Sequence, residues 1–280
     1  MNEKLRRDAE TIVRSAVAAV LPDRAVERAL QGMEFPGRVF LVAAGKAAWQ
    51  MSRAAVDCLR RPLDGGVCVT KYGHVPGPIE GVECIEAGHP VPDENSFSAT
   101  AEALKLVSGL TEGDTVLFLL SGGGSALFEK PLVSAQEMDD ITRQLLACGA
   151  DIVEMNTLRK RLSAVKGGKF AQLCAPARVF SVVLSDIIGD PLDMIASGPA
   201  YPDSSTAEQA LAIAAKYNLQ LSDQARSLLA EETPKELTNV ETQINGSVRE
   251  LCTAAAEPPS FSFLVLQGTK RSASFRMGEY

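Results

Sequence analysis

Ser121-Gly122-Gly123-Gly124-Ser125 follows directly on the apolar run Val116–Leu120. Three consecutive glycines expose bare amide N–H groups and admit positive φ, and the two serines add hydroxyl donors. Such a loop can wrap an oxyanion, phosphate above all. No Gly-Lys-Ser/Thr follows at the required spacing, so the loop is not a Walker A loop. The same residues also suit a tight turn that needs glycine only for its geometry.

A second group lies at 155–170, MNTLRKRLSAVKGGKF, with five basic residues (Arg159, Lys160, Arg161, Lys166, Lys169) and no acid. On a helix, Asn156, Arg159, Ser163 and Lys166 fall on one polar face, opposite Leu158, Leu162 and Val165. Lys166-Gly167-Gly168-Lys169 then combines charge with accessible backbone. That pattern suits a small polyanion such as a nucleotide or a phosphorylated sugar acid, or else a solvated basic face. Lys46, in the turn Ala44-Gly45-Lys46, offers a point charge for a phosphate or carboxylate. A surface lysine near a helix start is the alternative, although the helix dipole disfavours a cation there. Asp186, Asp190 and Asp193 follow another apolar run. Closely spaced carboxylates at a strand end suit Mg²⁺, which takes one or two of them plus phosphate oxygens. One carboxylate could instead orient a hydroxyl. Asp190 before Pro191 also fits a helix N-cap, which leaves Asp186 as the better candidate for chemistry and Asp190 with a mixed role. His74 and His89 are the only histidines. Both sit in Gly/Pro-rich loops and read as loop residues bonded to local backbone.

The elements that must position these residues alternate. Helical spacing runs from about Glu3 to Leu30, with Ile12, Ala16, Ala19 and Val20 on one face. Strands are expected at 38–43, 66–70, 82–86, 115–120 and 178–184. Helices are expected after Ala44-Gly45-Lys46 to about Arg60, from after Asp93 to near Gly109, and after Ser134, with Glu137 closing a capping box. Short, continuously apolar strands between helices indicate an α/β fold: a doubly wound, mostly parallel Rossmann-like sheet with helices on both faces. Ligands then bind beyond the carboxyl ends of the strands. Those ends carry Lys46, both histidine loops, the glycine loop and Asp186–Asp190.

Apolar residues make up 46% and charged residues 22%, which fits an ordinary globular chain. A net charge of −7 argues against general nucleic-acid binding. Six scattered cysteines with no CxxC pair suggest reduced thiols in a cytoplasmic protein. The charged start shows no signal peptide, and no run of about 18 apolar residues suggests a membrane span.

VAAGKAA at 42–48, TKYGH at 70–74, EAGHPVPDE at 86–94, LLSGGGSAL at 119–127, NTLRKRLSAVKGGK at 156–169 and LSDIIGDPLDMIASGP at 184–199 resemble, in this order, the glycerate 2-kinase family. These are the MOFRL-type glycerate kinases, some of them named hydroxypyruvate reductase. The resemblance implies ATP-dependent phosphorylation of D-glycerate to 2-phosphoglycerate with Mg²⁺, in a Rossmann-like domain facing a smaller second domain. It places the family's essential lysine at Lys46 and its essential aspartate at Asp186. It places the phosphate-side segments at Ser121–Ser125 and Lys166-Gly167-Gly168. The resemblance runs to about Ala256, so residues 1–256 are expected to form the Rossmann-like domain. Residues 257–280 are expected to be a divergent, irregular tail, with the second domain and its further arginine and aspartate absent. The partner implied is the small substrate glycerate, with no nucleic acid or membrane, and homo-oligomerisation stays open. Two rival functions remain: an NAD(P)-dependent hydroxypyruvate reductase, and a non-catalytic remnant that binds a nucleotide or acid without turnover. Against the reductase, no strand leads into G-x-G-x-x-G with an acid about 20 residues on.

Overall fold

A computed structural model describes residues 3–185, 189 and 191–256 of the chain. The apolar runs form strands β1 (Val39–Ala44), β2 (Gly65–Lys71), β3 (Glu83–Ala87), β4 (Thr115–Leu120) and β5 (Arg178–Val183), followed by β6 (Val240–Ile244). Every neighbouring pair is parallel, in the order β3-β2-β1-β4-β5-β6. This is the doubly wound order of the Rossmann fold. The first half of the chain supplies helices α1 (Glu3–Ala19), α2 (Pro22–Leu30), α3 (Ala48–Cys58), α4 (Glu94–Leu106) and α5 (Gly124–Leu127). The second half supplies α6 (Ala135–Ala147), α7 (Ile152–Leu162), α8 (Lys169–Cys174), α9 (Ala207–Lys216), α10 (Asp223–Leu229) and α11 (Val248–Ala256).

Side chains alternate across a strand, so each central strand feeds two cores. Leu41, Ala43, Leu117, Leu119 and Phe180 pack under α2 and α3. Phe40, Val42, Phe118 and Val179 pack under α4 and α8 on the other face. Because both faces are covered, β1 and β4 are buried along their whole length, which is why they read as continuous apolar runs. Helices α6, α7, α9 and α10 bury Ile141, Leu145, Leu158, Leu162 and Leu229 in a third core beside the sheet.

Several boundaries differ from expectation for physical reasons. The helical span at 3–30 breaks at Val20-Leu21, because Pro22 at the first turn of α2 has no N–H to continue α1. Ala16 is buried and Ile12, Ala19 and Val20 are half-buried, as the spacing required. Ser134 caps α6 by accepting from the Glu137 amide at 3.2 Å, but Glu137 does not close the box. Its carboxylate instead accepts the Ser222 amide at 2.9 Å, tying α6 to α10. Asp93 does form a reciprocal box with Ser96. All six cysteines are free. Among the described residues no helix is long and apolar enough to cross a membrane. The reading of 257–280 as a divergent tail lies outside the described residues.

Candidate functional site

The strand order reverses between β1 and β4. Crevices at such switch points, beyond the strand carboxyl ends, are where doubly wound sheets bind ligands. β1 ends there in Gly45-Lys46 and β4 in the glycine loop. The two turns interlock: the Lys46 amide donates to Gly122 O at 2.9 Å, and Ser121 Oγ accepts the Ala47 amide at 3.1 Å, capping α3. Gly45 sits at φ +127°, and a Cβ there would lie 2.2 Å from Ser121 Oγ and 2.5 Å from Ser121 O. Gly45→Ala is therefore expected to cost about 2 kcal/mol or more of stability and to loosen the glycine loop. Thermal melting together with phosphate titration checks both effects.

The amides of Gly122 and Gly123 donate to no protein acceptor among the described residues. Gly123 is left-handed at φ +90°, and a Cβ there would stand 3.0 Å from His89 Cδ2 and Nε2 and 3.2 Å from Lys46 Cγ. Loop backbone, lysine stem and imidazole thus meet at one point. Lys46 is exposed, and its ammonium makes no hydrogen bond or ion pair among the described residues. Its backbone is held: the Lys46 carbonyl lies 3.0 Å from His74 Nδ1, a contact that requires the Nδ1–H tautomer. The Glu86 carboxylate accepts the His74 and Val75 amides at 2.9 Å each, fixing that loop to the end of β3. Neither histidine is confined to local backbone. His74 reaches a carbonyl 28 residues away and His89 covers the glycine loop, contacts that only the parallel sheet creates. Burial first, then Lys46 and Lys71, hold the His89 imidazole below the usual histidine pKa. The unfolded chain therefore takes up a proton there first as pH falls. Stability is expected to drop below about pH 6.5 more steeply in the wild type than in His89→Gln, as melting curves between pH 5 and 7 would show.

The glycine loop is supported from behind. Phe118, Phe128 and Phe170 cluster with ring centroids 4.8–5.6 Å apart, anchoring the C-terminal end of α5 to β4 and α8. The Lys166 ammonium is fully buried, donates to Ser125 O at 2.9 Å and Phe128 O at 3.0 Å, and pairs with Glu129 at 2.9 Å. A Cβ on Gly124 would meet Ala196 at 2.8 Å, which brings the left-handed turn Ala196-Ser197-Gly198 against the loop.

The 155–170 segment departs most from its sequence reading. Helix α7 stops at Leu162, and Ser163 is extended and bridges to Pro131, so Lys166 is not on the helix and the single polar face does not form. Asn156 is buried and accepts from Ser197 Oγ at 3.0 Å. The Gly167 amide donates to Ser197 O at 2.9 Å. Asn156, Lys166 and Gly167, expected to face a ligand, thus have their polar groups engaged by protein and stand behind the loop. Lys160 and Arg161 are buried as well, paired with Asp203. Lys169 donates to Arg161 O at 3.0 Å and Ser163 O at 2.8 Å, and burial pushes it down to about 8. Arg159 remains on the cleft side, half-buried, without a hydrogen bond among the described residues. Ser125 opens on the same side.

Asp186 and Asp190 lie outside the described residues. Asp193, the third carboxylate of that run, accepts from Ser204 at 2.8 Å and Lys160 at 3.4 Å. Among the described residues no group of three His, Cys, Asp or Glu side chains could hold a metal ion.

Residues 8–230 match a family described as a domain of unknown function, DUF4147. A D-glycerate 2-kinase from Thermotoga maritima is 52% identical over 255 residues, 90% of this chain and 61% of its own length. A crystal structure of glycerate kinase from the same organism superposes with a TM-score of 0.87 at 52% identity, covering 91% of this chain and 62% of that one. An Agrobacterium vitis relative with a provisional hydroxypyruvate reductase name is 43% identical over 79% of this chain and 51% of its own. The chain thus spans about half to two thirds of the length of these relatives. Six parallel strands in Rossmann order, the glycine loop on the switch point and the family match over 8–230 together place the chain in the DUF4147 family.

Proposed function

We propose that this chain carries the phosphate-binding half of an ATP-dependent D-glycerate 2-kinase, acting in the cytoplasm. One observation supports this reading above the others: at the switch point the amides of Gly122 and Gly123, which have no protein acceptor among the described residues, stand beside the stem of Lys46, whose ammonium has no hydrogen bond or ion pair among the described residues. Fixed N–H donors and a mobile positive charge fit the β/γ-phosphates of a nucleotide. Phosphoryl transfer needs mainly positioning and charge stabilisation. The Gly122 and Gly123 amides would hold non-bridging oxygens, and Lys46 would follow charge onto the transferring group. His89, neutral near pH 7, would face the glycerate hydroxyl or carboxylate. Arg159 and Ser125 would touch the nucleotide from the α7 side. Asn156, Lys166 and Gly167 would act indirectly, by fixing the glycine loop and the Ala196–Gly198 turn. Mg²⁺, when bound, would neutralise charge on the phosphates. Its proposed ligands, Asp186 and Asp190, lie outside the described residues. Glycerate is the proposed partner, and residues 1–256 the proposed domain.

The reductase reading has weaker support. β1 runs into Ala44-Gly45-Lys46-Ala47, with one glycine where a dinucleotide fingerprint carries three, and β2 ends in Thr70-Lys71 instead of a ribose-binding acid. Incubation with ATP, Mg²⁺ and D-glycerate is expected to yield ADP and 2-phosphoglycerate, with no NADH or NADPH consumed on hydroxypyruvate. Reduced-nicotinamide consumption without ADP formation would reverse the assignment. ATP binding without turnover would leave the non-catalytic reading.

A further inference from the structure

Two of the six cysteines face each other in the sheet. Cys68 in β2 and Cys84 in β3 are register partners on neighbouring parallel strands. Register partners project to the same side of a sheet, and both side chains belong to the core under α2 and α3. The other four cysteines lie on helices or at a helix end: Cys58 in α3, Cys148 after α6, Cys174 in α8 and Cys252 in α11.

The two thiols are unequal. Cys68 is buried, whereas Cys84 is half-buried, because β3 is the edge strand of the sheet. They hydrogen-bond to each other. That bond, then burial, pushes Cys68 well above the usual thiol pKa, and the same bond, helped by the Ile79 amide, draws Cys84 below it. The thiol more open to solvent is therefore also the readier nucleophile, with a second sulfur poised behind it. Neighbouring strands run about 4.8 Å apart, within the roughly 4.4–6.8 Å that separates the Cα atoms of a disulfide, so a bond between the two needs no register shift.

We propose that Cys68 and Cys84 form a redox-modification site: hydrogen peroxide converts the pair into a disulfide that joins β2 to β3, and a thiol reductant reopens it. Cys84 loses its proton, and its sulfur attacks one peroxide oxygen. The products are Cys84 sulfenic acid and hydroxide, which takes up the proton and leaves as water. Cys68 Sγ then attacks the sulfenic sulfur, and its proton departs with the displaced hydroxide as a second water. Two thiols are oxidised by two electrons in all, and one peroxide is reduced to two waters. The reaction depends on neither the glycine loop nor its ligand. The bond would stand three residues before the last residue of each strand, Lys71 in β2 and Ala87 in β3, beneath the loops that carry His74 and His89.

The test treats the reduced whole chain with a few equivalents of hydrogen peroxide. Remaining thiols are blocked with N-ethylmaleimide in denaturant, and tryptic peptides are mapped without reductant. Cys68 and Cys84 fall in separate peptides, 61–71 and 72–105. The two peptides are expected to be recovered joined, and to separate after dithiothreitol. In Cys68→Ser no second thiol remains, so dimedone is expected to trap Cys84 as its sulfenic acid. In Cys84→Ser, Cys68 is expected to stay reduced. Melting curves of both variants show that the fold persists, and the wild-type map decides the question even if one of them unfolds. Both cysteines recovered blocked and unlinked, or Cys84 oxidised further beside a free Cys68, overturns the proposal.

Discussion

Lys46→Ala is expected to lower kcat/KM for ATP-dependent glycerate phosphorylation by about 10²–10³-fold, the loss typical of removing one preorganised electrostatic donor. The side chain reaches the crevice from a fixed base. Its amide is bound to Gly122 O at 2.9 Å and its carbonyl lies 3.0 Å from His74 Nδ1, so truncation at Cβ leaves the turn in place. Because Lys46 is exposed and makes no ion pair among the described residues, its removal should change stability by less than about 0.5 kcal/mol. Activity would then fall without a shift in melting temperature. Lys46→Arg should recover little, since a planar guanidinium fork does not replace a compact ammonium as a point charge. A coupled assay for ADP, run beside melting curves for each variant, separates the two effects. Near wild-type kcat/KM in Lys46→Ala would remove the lysine from the chemistry.

What the sequence revealed and what it hid follow one physical division. The glycine loop was visible because a strand buried on both faces must read as an unbroken apolar run, and Val116–Leu120 ends abruptly in residues without side chains. Lys46 was visible because its charge sits at a helix start, where the dipole disfavours it. β6 was missed because it pairs on one edge only with β5, and Val240-Glu241-Thr242-Gln243-Ile244 lacks the continuous apolar signature of a central strand. Helical spacing carried past Leu162 puts Lys166 on one polar face with Asn156, but the chain turns extended at Ser163 and that face does not form. His89 was undervalued because its neighbours Gly123 and Lys46 lie more than 30 residues from it along the chain. Local periodicity reports the faces of one element. It does not report which acids arrive from elsewhere, and that is what changed the meaning of Lys160 and Arg161.

Asp203→Ala is expected to destabilise the protein by about 3–5 kcal/mol, the cost of leaving buried cations uncompensated. The Asp203 carboxylate is fully buried and accepts from Lys160 Nζ at 2.9 Å and Thr233 Oγ1 at 2.7 Å, with Arg161 at 3.6 Å. Lys160 and Arg161 are themselves 2% and 0% exposed along their side chains. Burial alone raises the Asp203 pKa, but Thr233, Lys160 and the Ser205 amide outweigh it and hold the carboxyl below the usual range. Asp203 therefore contributes stability at neutral pH that is lost as pH falls through its depressed pKa. Without it two positive groups share a buried pocket in which Arg161 Nε has no hydrogen-bond partner among the described residues. Arg161 retains Glu232 at 3.4 Å, but that carboxylate is half exposed and screened, so it cannot replace Asp203. Melting temperature should fall by roughly 10 °C or more. Adding Lys160→Met to Asp203→Ala removes one of the stranded charges, so the double variant should lose less than the two single losses summed, with a coupling of about 1–3 kcal/mol. Losses that add without coupling would show that Lys160 finds water or another acid when Asp203 is gone. The expected coupling would show that the basic run of α7, which in sequence looks like a hand held out to phosphate, is mostly the inner half of a buried ion cluster. Only Arg159, the one residue of that run turned to the cleft, would then remain to meet a nucleotide.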